Sequence, residues 1–172
     1  MLGLKIKLQI NKYNMEKILE LITESGKDPI GGLYVHLFQP NEDIYEEGKE
    51  IKAGMSVLKP GKFKGKLSGR MKIYHNNKYW HFINGESAFN KSTTRSYLLL
   101  DATNLPEDKK WLITGLEDKL TQLIAEKFNI ISKIGKGKSE YRQIEFNSLK
   151  EYDYKIKCIC DEINKEVEKS LK

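Results

Sequence analysis

Six side chains, far apart along the chain, are of types that move protons, bind anions or hold a cation. Tyr34 sits in the apolar run Gly32-Leu33-Tyr34-Val35-His36-Leu37-Phe38, and Lys52 opens the short motif Lys52-Ala53-Gly54. Arg70 and Tyr74 stand four residues apart in a basic segment, with His75 beside Tyr74. In a helix that spacing puts Arg70 and Tyr74 on one face. Glu117 falls inside the apolar stripe of a helical pattern, and its neighbours one turn away are Ile113, Thr114, Leu120 and Thr121. No lysine or arginine is spaced along that helix to pair with it. A carboxylate so placed calls for a metal ion or for an arginine from elsewhere in the fold. A phenol, an ammonium, a guanidinium and a carboxylate are groups suited to acid–base work and to binding charge.

The charge pattern bears on the kind of partner. The 172-residue chain carries a formal net charge of +6. Between Lys49 and Lys78 nine lysines and arginines face only one acid, Glu50, so the basic excess lies in the same stretch as Lys52 and Arg70. A local cationic surface attracts polyanions, nucleic acid first among them, unless it is simply a solvated lysine-rich loop. The two cysteines, Cys158 and Cys160, have one residue between them. That spacing suits neither a disulfide framework nor a zinc site and reads as a reducing, intracellular setting. No signal-peptide core and no membrane-spanning run is evident, which leaves a cytoplasmic protein with no membrane partner as the expectation.

The elements that must position these residues follow from periodicity. Residues 4–10 alternate as a half-buried strand, and 15–25 form a short helix behind Asn14. Residues 32–38 are a strand with Leu33, Val35 and Leu37 toward the core and Tyr34 and His36 on the other face. Residues 40–48 are an acidic connection, and 50–56 make a returning strand interrupted by Gly54. Lys59-Pro60-Gly61 reads as a turn and 62–74 as a basic, partly helical segment. A strand at 79–83, a polar loop at 84–94 and a buried strand at 96–102 follow. Residues 111–128 are the clearest helix, 132–140 a basic loop, 141–146 a short strand and 149–171 a long amphipathic helix. The sum is an α+β chain, read as one domain over 1–172, with a small central antiparallel or mixed sheet flanked by helices. Within it, residues 1–31 form an N-terminal extension, and a basic loop with the long C-terminal helix fills 130–172.

Gly32-Leu33-Tyr34, Lys52-Ala53-Gly54, Arg70, Glu117 and then Asn129, in that order on strand, strand, helix, helix and helix end, resemble a GIY-YIG nuclease domain over residues 32–129. Lys52 stands where the second motif tyrosine would be, and Ala53 replaces isoleucine, as in a subgroup similar to phage and restriction-type members. The resemblance implies a central antiparallel sheet and a metal-dependent endonuclease acting on DNA. Glu117 would hold one magnesium or manganese ion, Tyr34 would act as general base or orient the water, and Lys52 would lower its pKa or contact phosphate. Arg70 would grip the scissile phosphate, Tyr74 or His75 would orient the nucleophile, and Asn129 matches the asparagine after the metal-binding glutamate.

Lys59, Lys62, Lys64, Lys66 and Lys72 would track the backbone without reading sequence. One such site cuts one strand, so duplex cleavage at a defined sequence would call for a homodimer or two visits. The alternative is a catalytically inactive DNA-binding module of the same fold, motivated by Lys52 and Ala53.

Overall fold

In a computed structural model of the chain, the residues described are 28–40, 43–46, 49–53, 55–69, 92–134, 141–144 and 149–171. The strand expected at 4–10, the helix at 15–25 and the strand at 79–83 lie outside them.

Strand β1 (Ile30–Pro40) is built from the apolar, β-branched and aromatic run that the sequence marks as a strand. It is flanked by β4 (Ser56–Lys66) and β5 (Ser92–Asp101), both antiparallel to it. Strands β6 (Ile130–Ile134) and β7 (Tyr141–Ile144) extend the sheet beyond β4, giving the order β5-β1-β4-β7-β6. A separate antiparallel pair, β2 (Ile44–Glu46) with β3 (Lys49–Ile51), begins in the acidic connection and ends in the stretch expected as the returning strand.

Two helices cover one face of the sheet. Helix α1 (Leu112–Lys127) turns Ile113, Leu116, Leu120, Leu123 and Ile124 inward at the 3.6-residue period. Helix α2 (Leu149–Ser170) does the same with Tyr152, Ile156, Ile159, Cys160, Ile163 and Val167. These side chains pack with Leu33, Val35, Leu37, Leu58, Leu99 and Leu100 in one cluster, so α2 packs on the chain's own core. A bulge in the β1–β5 register at Leu33/Tyr34 allows the consecutive Leu99 and Leu100 both to reach that cluster. Tyr97, whose ring lies 5.3 Å from that of Tyr152, donates its hydroxyl to the Asp153 carboxylate and ties β5 to α2.

The chain departs from the sequence expectation in three stretches. The returning strand at 50–56 is two things: β3, which ends at Ile51, and a turn in which Met55 N donates to Lys52 O at 3.1 Å. Lys59-Pro60-Gly61 is not a turn but the middle of β4, and Lys62–Lys66 is strand rather than helix. The chain becomes helical only at Leu67. Pairing along β1 satisfies the backbone of this segment, and that outweighs weak local propensity. Pro60 is tolerated because β7 pairs with β4 only over Ser56–Leu58. Beyond Leu58, among the described residues, β4 has one hydrogen-bonded neighbour, where a missing N–H need leave no gap in a ladder.

Two glycines are required by close approach. A side-chain carbon at Gly32 would overlap the Leu100 carbonyl oxygen and the Phe63 ring, because β1 is sandwiched there between its neighbours. One at Gly61 would overlap the Tyr34 hydroxyl.

Candidate functional site

Strand register decides which of the proposed site residues can meet. Tyr34 lies opposite Gly61, and Leu33 lies opposite Lys62. Cross-strand partners share a face and successive residues alternate. Leu33 is in the core under the two helices, so Lys62 projects toward α1 and Tyr34 projects away from it.

The contacts agree. Lys62 Nζ lies 3.8 Å from Glu117 Oε1 and donates to Thr114 Oγ1 at 3.3 Å, both on α1. The Tyr34 hydroxyl instead lies over Gly61 on the opposite face. Tyr34 and Glu117 are therefore on opposite sides of the sheet and do not line one pocket.

Tyr34 is 1% exposed, and its ring centroid is 4.6 Å from that of His36 and 6.3 Å from that of Phe63. His36, on the same face as Tyr34, is fully buried, and the residue opposite it on β4 is Lys59. Lys59 is 6% exposed, so its expected role as a surface residue tracking a phosphate backbone is not available to it. A tyrosine, a histidine and a lysine thus gather on the face away from the helices. Among the described residues, the register puts Lys59 on the Tyr34 face of β4, whereas Lys52 is not on that strand. Lys52 lies beyond β3 with its side chain 59% exposed, 3.8 Å from Asp43 Oδ2. The same aspartate accepts from Ala53 N at 2.9 Å and so fixes the turn.

Glu117 is buried, as its place in the apolar stripe requires. Its partner is not on its own helix but on β4. A helical pattern over 62–74 hides Lys62 as that partner; on a strand, Lys62 falls in the alternation set by Leu33. Asn129 is exposed just past the end of α1. Twelve residues of rise separate it from Glu117, about 18 Å along a helix, so the two do not share a site.

Lys64 and Lys66 are exposed at the far end of β4. Gly54, Arg70, Lys72, Tyr74 and His75 lie outside the described residues. The helical turn at Leu67–Gly69 that leads toward Arg70 is anchored from a distance. Leu67 N donates to Pro29 O at 2.9 Å, while Ser68 donates from N (3.1 Å) and Oγ (2.5 Å) to the Asp28 carboxylate.

The fit of a divalent cation is tested by the donor set at Glu117. A hard cation takes six or more oxygens and tolerates few neighbouring positive charges. Glu117 instead faces the Lys62 ammonium, which also donates to the Thr114 hydroxyl, and among the described residues no three His, Cys, Asp or Glu side chains come together. The described residues do not fit a metal centre at Glu117. Cys160 offers no nucleophile either. Burial, with a contribution from Asp161, pushes its thiol up to about 12, and Sγ donates to Leu99 O.

No protein-family profile, curated protein or solved structure matches the chain. Among the described residues no helix is long and apolar enough to cross a membrane.

Proposed function

We propose that the protein binds the phosphate backbone of nucleic acid through the lysine-bearing end of β4, without using a Tyr34–Glu117 metal site. One observation carries this reading. Lys64 and Lys66 are exposed on a strand end that β7 does not cover. The ammonium groups there supply the sequence-independent attraction that dominates such binding. The register supports binding over hydrolysis, because it separates the phenol from the carboxylate and gives the carboxylate an ammonium partner.

The second reading is metal-dependent hydrolysis of DNA, as the motif order implies. It is favoured by the helical turn at Leu67–Gly69, which begins where that order expects the helix of Arg70.

Supercoiled plasmid, incubated with the protein with and without magnesium, separates the two. Retardation without nicking, unchanged in Glu117→Ala, is the expected result. Nicking that needs magnesium and vanishes in Glu117→Ala would replace binding with hydrolysis. Lys64→Ala and Lys66→Ala should each lower the slope of log affinity against log salt by roughly one.

A further inference from the structure

The geometry points to Trp111 as a stacking platform for a base of an unpaired nucleic-acid strand whose backbone runs onto Lys64 and Lys66. This assignment rests on the nucleic-acid reading above and goes beyond it by naming the form of the ligand.

Trp111 is a large aromatic side chain that the fold leaves 67% exposed. It is not held loosely on a loop. It caps α1 with φ −61° and ψ −23°, so the helical geometry already includes it, and Thr114 N donates to its carbonyl at 3.2 Å. Residues three apart on a helix share a face, which puts Trp111 one turn from Thr114. The Thr114 hydroxyl accepts from Lys62, so that face of α1 borders the basic half of β4.

The neighbourhood is fixed a second way. A side-chain carbon built at Gly31 would lie 3.2 Å from Ile113 Cδ1 and 3.8 Å from the Lys64 carbonyl oxygen. The Ile113 side chain from the first turn of α1 and the Lys64 backbone thus both lie against Gly31. Lys64 and Lys66 are both exposed there, and Ile30, at the start of the central strand, is also partly exposed. The acids nearest to Trp111 in sequence, Glu107 and Asp108, are matched by Lys109 and Lys110, with Lys110 Nζ 2.9 Å from Glu107.

An indole beside ammonium groups suits one ligand better than others. A single strand offers both a flat base to stack on and phosphates to neutralise. A paired duplex offers the phosphates but keeps its bases stacked on each other, and an acidic peptide lacks the bases. Stacking does not depend on base identity, so no sequence preference is expected from this contact. The chemistry is common to DNA and RNA.

Fluorescence anisotropy of labelled short oligonucleotides tests the assignment, with oligo-dT, oligo-rU and a duplex of equal length as probes. The variants are Trp111→Ala, Trp111→Phe and Lys64→Ala/Lys66→Ala, each checked for an unchanged thermal midpoint. Trp111→Ala should weaken single-strand binding by about 5- to 150-fold and duplex binding by less than twofold, with Trp111→Phe restoring most of the loss. Equal effects on dT and rU are expected; loss on one alone would overturn the sugar-independent contact. If Lys64→Ala/Lys66→Ala weakens all probes while Trp111→Ala weakens none, or weakens strand and duplex alike, the stacking role is wrong and the nucleic-acid reading stands. If wild type binds no probe, both fall.

Discussion

Replacing Lys62 by methionine should destabilise the protein far more than replacing Glu117 by leucine. At 3.8 Å, two unit charges attract by about 4 kcal/mol at an effective dielectric of ~20. Desolvation of both groups offsets most of that. The two deletions differ in what they leave behind. Lys62→Met strands a carboxylate that is 7% exposed and fixed on a packed helix. Removing one partner of a buried pair costs ~3–5 kcal/mol. Lys62 is itself about a quarter exposed and the separation is long, so about 2 kcal/mol is expected here. Glu117→Leu leaves an ammonium on a flexible stem that can turn to water, and adds a leucine to an apolar stripe; its cost should stay within about 0.5 kcal/mol.

The double variant should then lie close to wild type, with a coupling of about 1.5–2 kcal/mol. Urea unfolding gives these differences directly, and a 2 kcal/mol loss corresponds to roughly 4–8 °C in Tm for a chain of this size. Magnesium should leave the wild-type midpoint unchanged, because an ammonium already stands where a cation would. Glu117→Leu costing as much as Lys62→Met, additive single effects, or a magnesium-dependent rise in the wild-type midpoint would each refute the reasoning.

Other outcomes follow from the same packing. Gly61→Ala forces a methyl group into the Tyr34 hydroxyl, and since the ring is buried the cost should be about 1–3 kcal/mol in thermal or urea unfolding. Tyr34→Phe should recover part of it; no recovery would place the strain elsewhere. Asp28→Ala removes the acceptor of two Ser68 hydrogen bonds and should cost about 0.5–2 kcal/mol, with Asp28→Asn losing less. In thiol titration with a disulfide reagent at pH 8, Cys158 should react in the folded protein and Cys160 should not. Burial raises the Cys160 thiol to about 12, so the thiolate fraction is negligible at pH 8 and grows only as pH rises toward that value. Two thiols reacting at equal rates in the native protein would contradict this.

The strongly periodic elements were legible in the sequence. Leu112–Lys127 and Leu149–Ser170 match the helices expected at 111–128 and 149–171, because each carries an apolar stripe long enough to need a covered face. The strand at 32–38 and its inward residues Leu33, Val35 and Leu37 were legible for the same reason at period two. The stretch 59–66 was not. Lys-Pro-Gly is turn chemistry by local rule, and Lys62-Phe63-Lys64-Gly65-Lys66 shows no apolar period of either kind. What makes it a strand is the neighbouring β1, whose unpaired edge needs a partner, and a local window cannot contain that information.

That one misassignment also explains why the candidate site was only partly legible. Motif order fixes which residue types recur along a chain, but not which side of a sheet each side chain takes. Face is set by register, and a slip of a single residue between β1 and β4 would send Lys62 to the Tyr34 side and Gly61 toward α1. With Gly61 opposite Tyr34, the glycine makes room for the phenol, Phe63 and Lys59 flank it, and Lys62 is delivered to Glu117. These four placements stand or fall together. The slipped register would put a lysine where the Tyr34 ring now lies and leave Glu117 buried with no ammonium across from it. The burial of Tyr34 and the pairing of Glu117 are thus two consequences of one choice of strand alignment, and the same choice that keeps phenol and carboxylate apart leaves Lys64 and Lys66 at the open end of the strand.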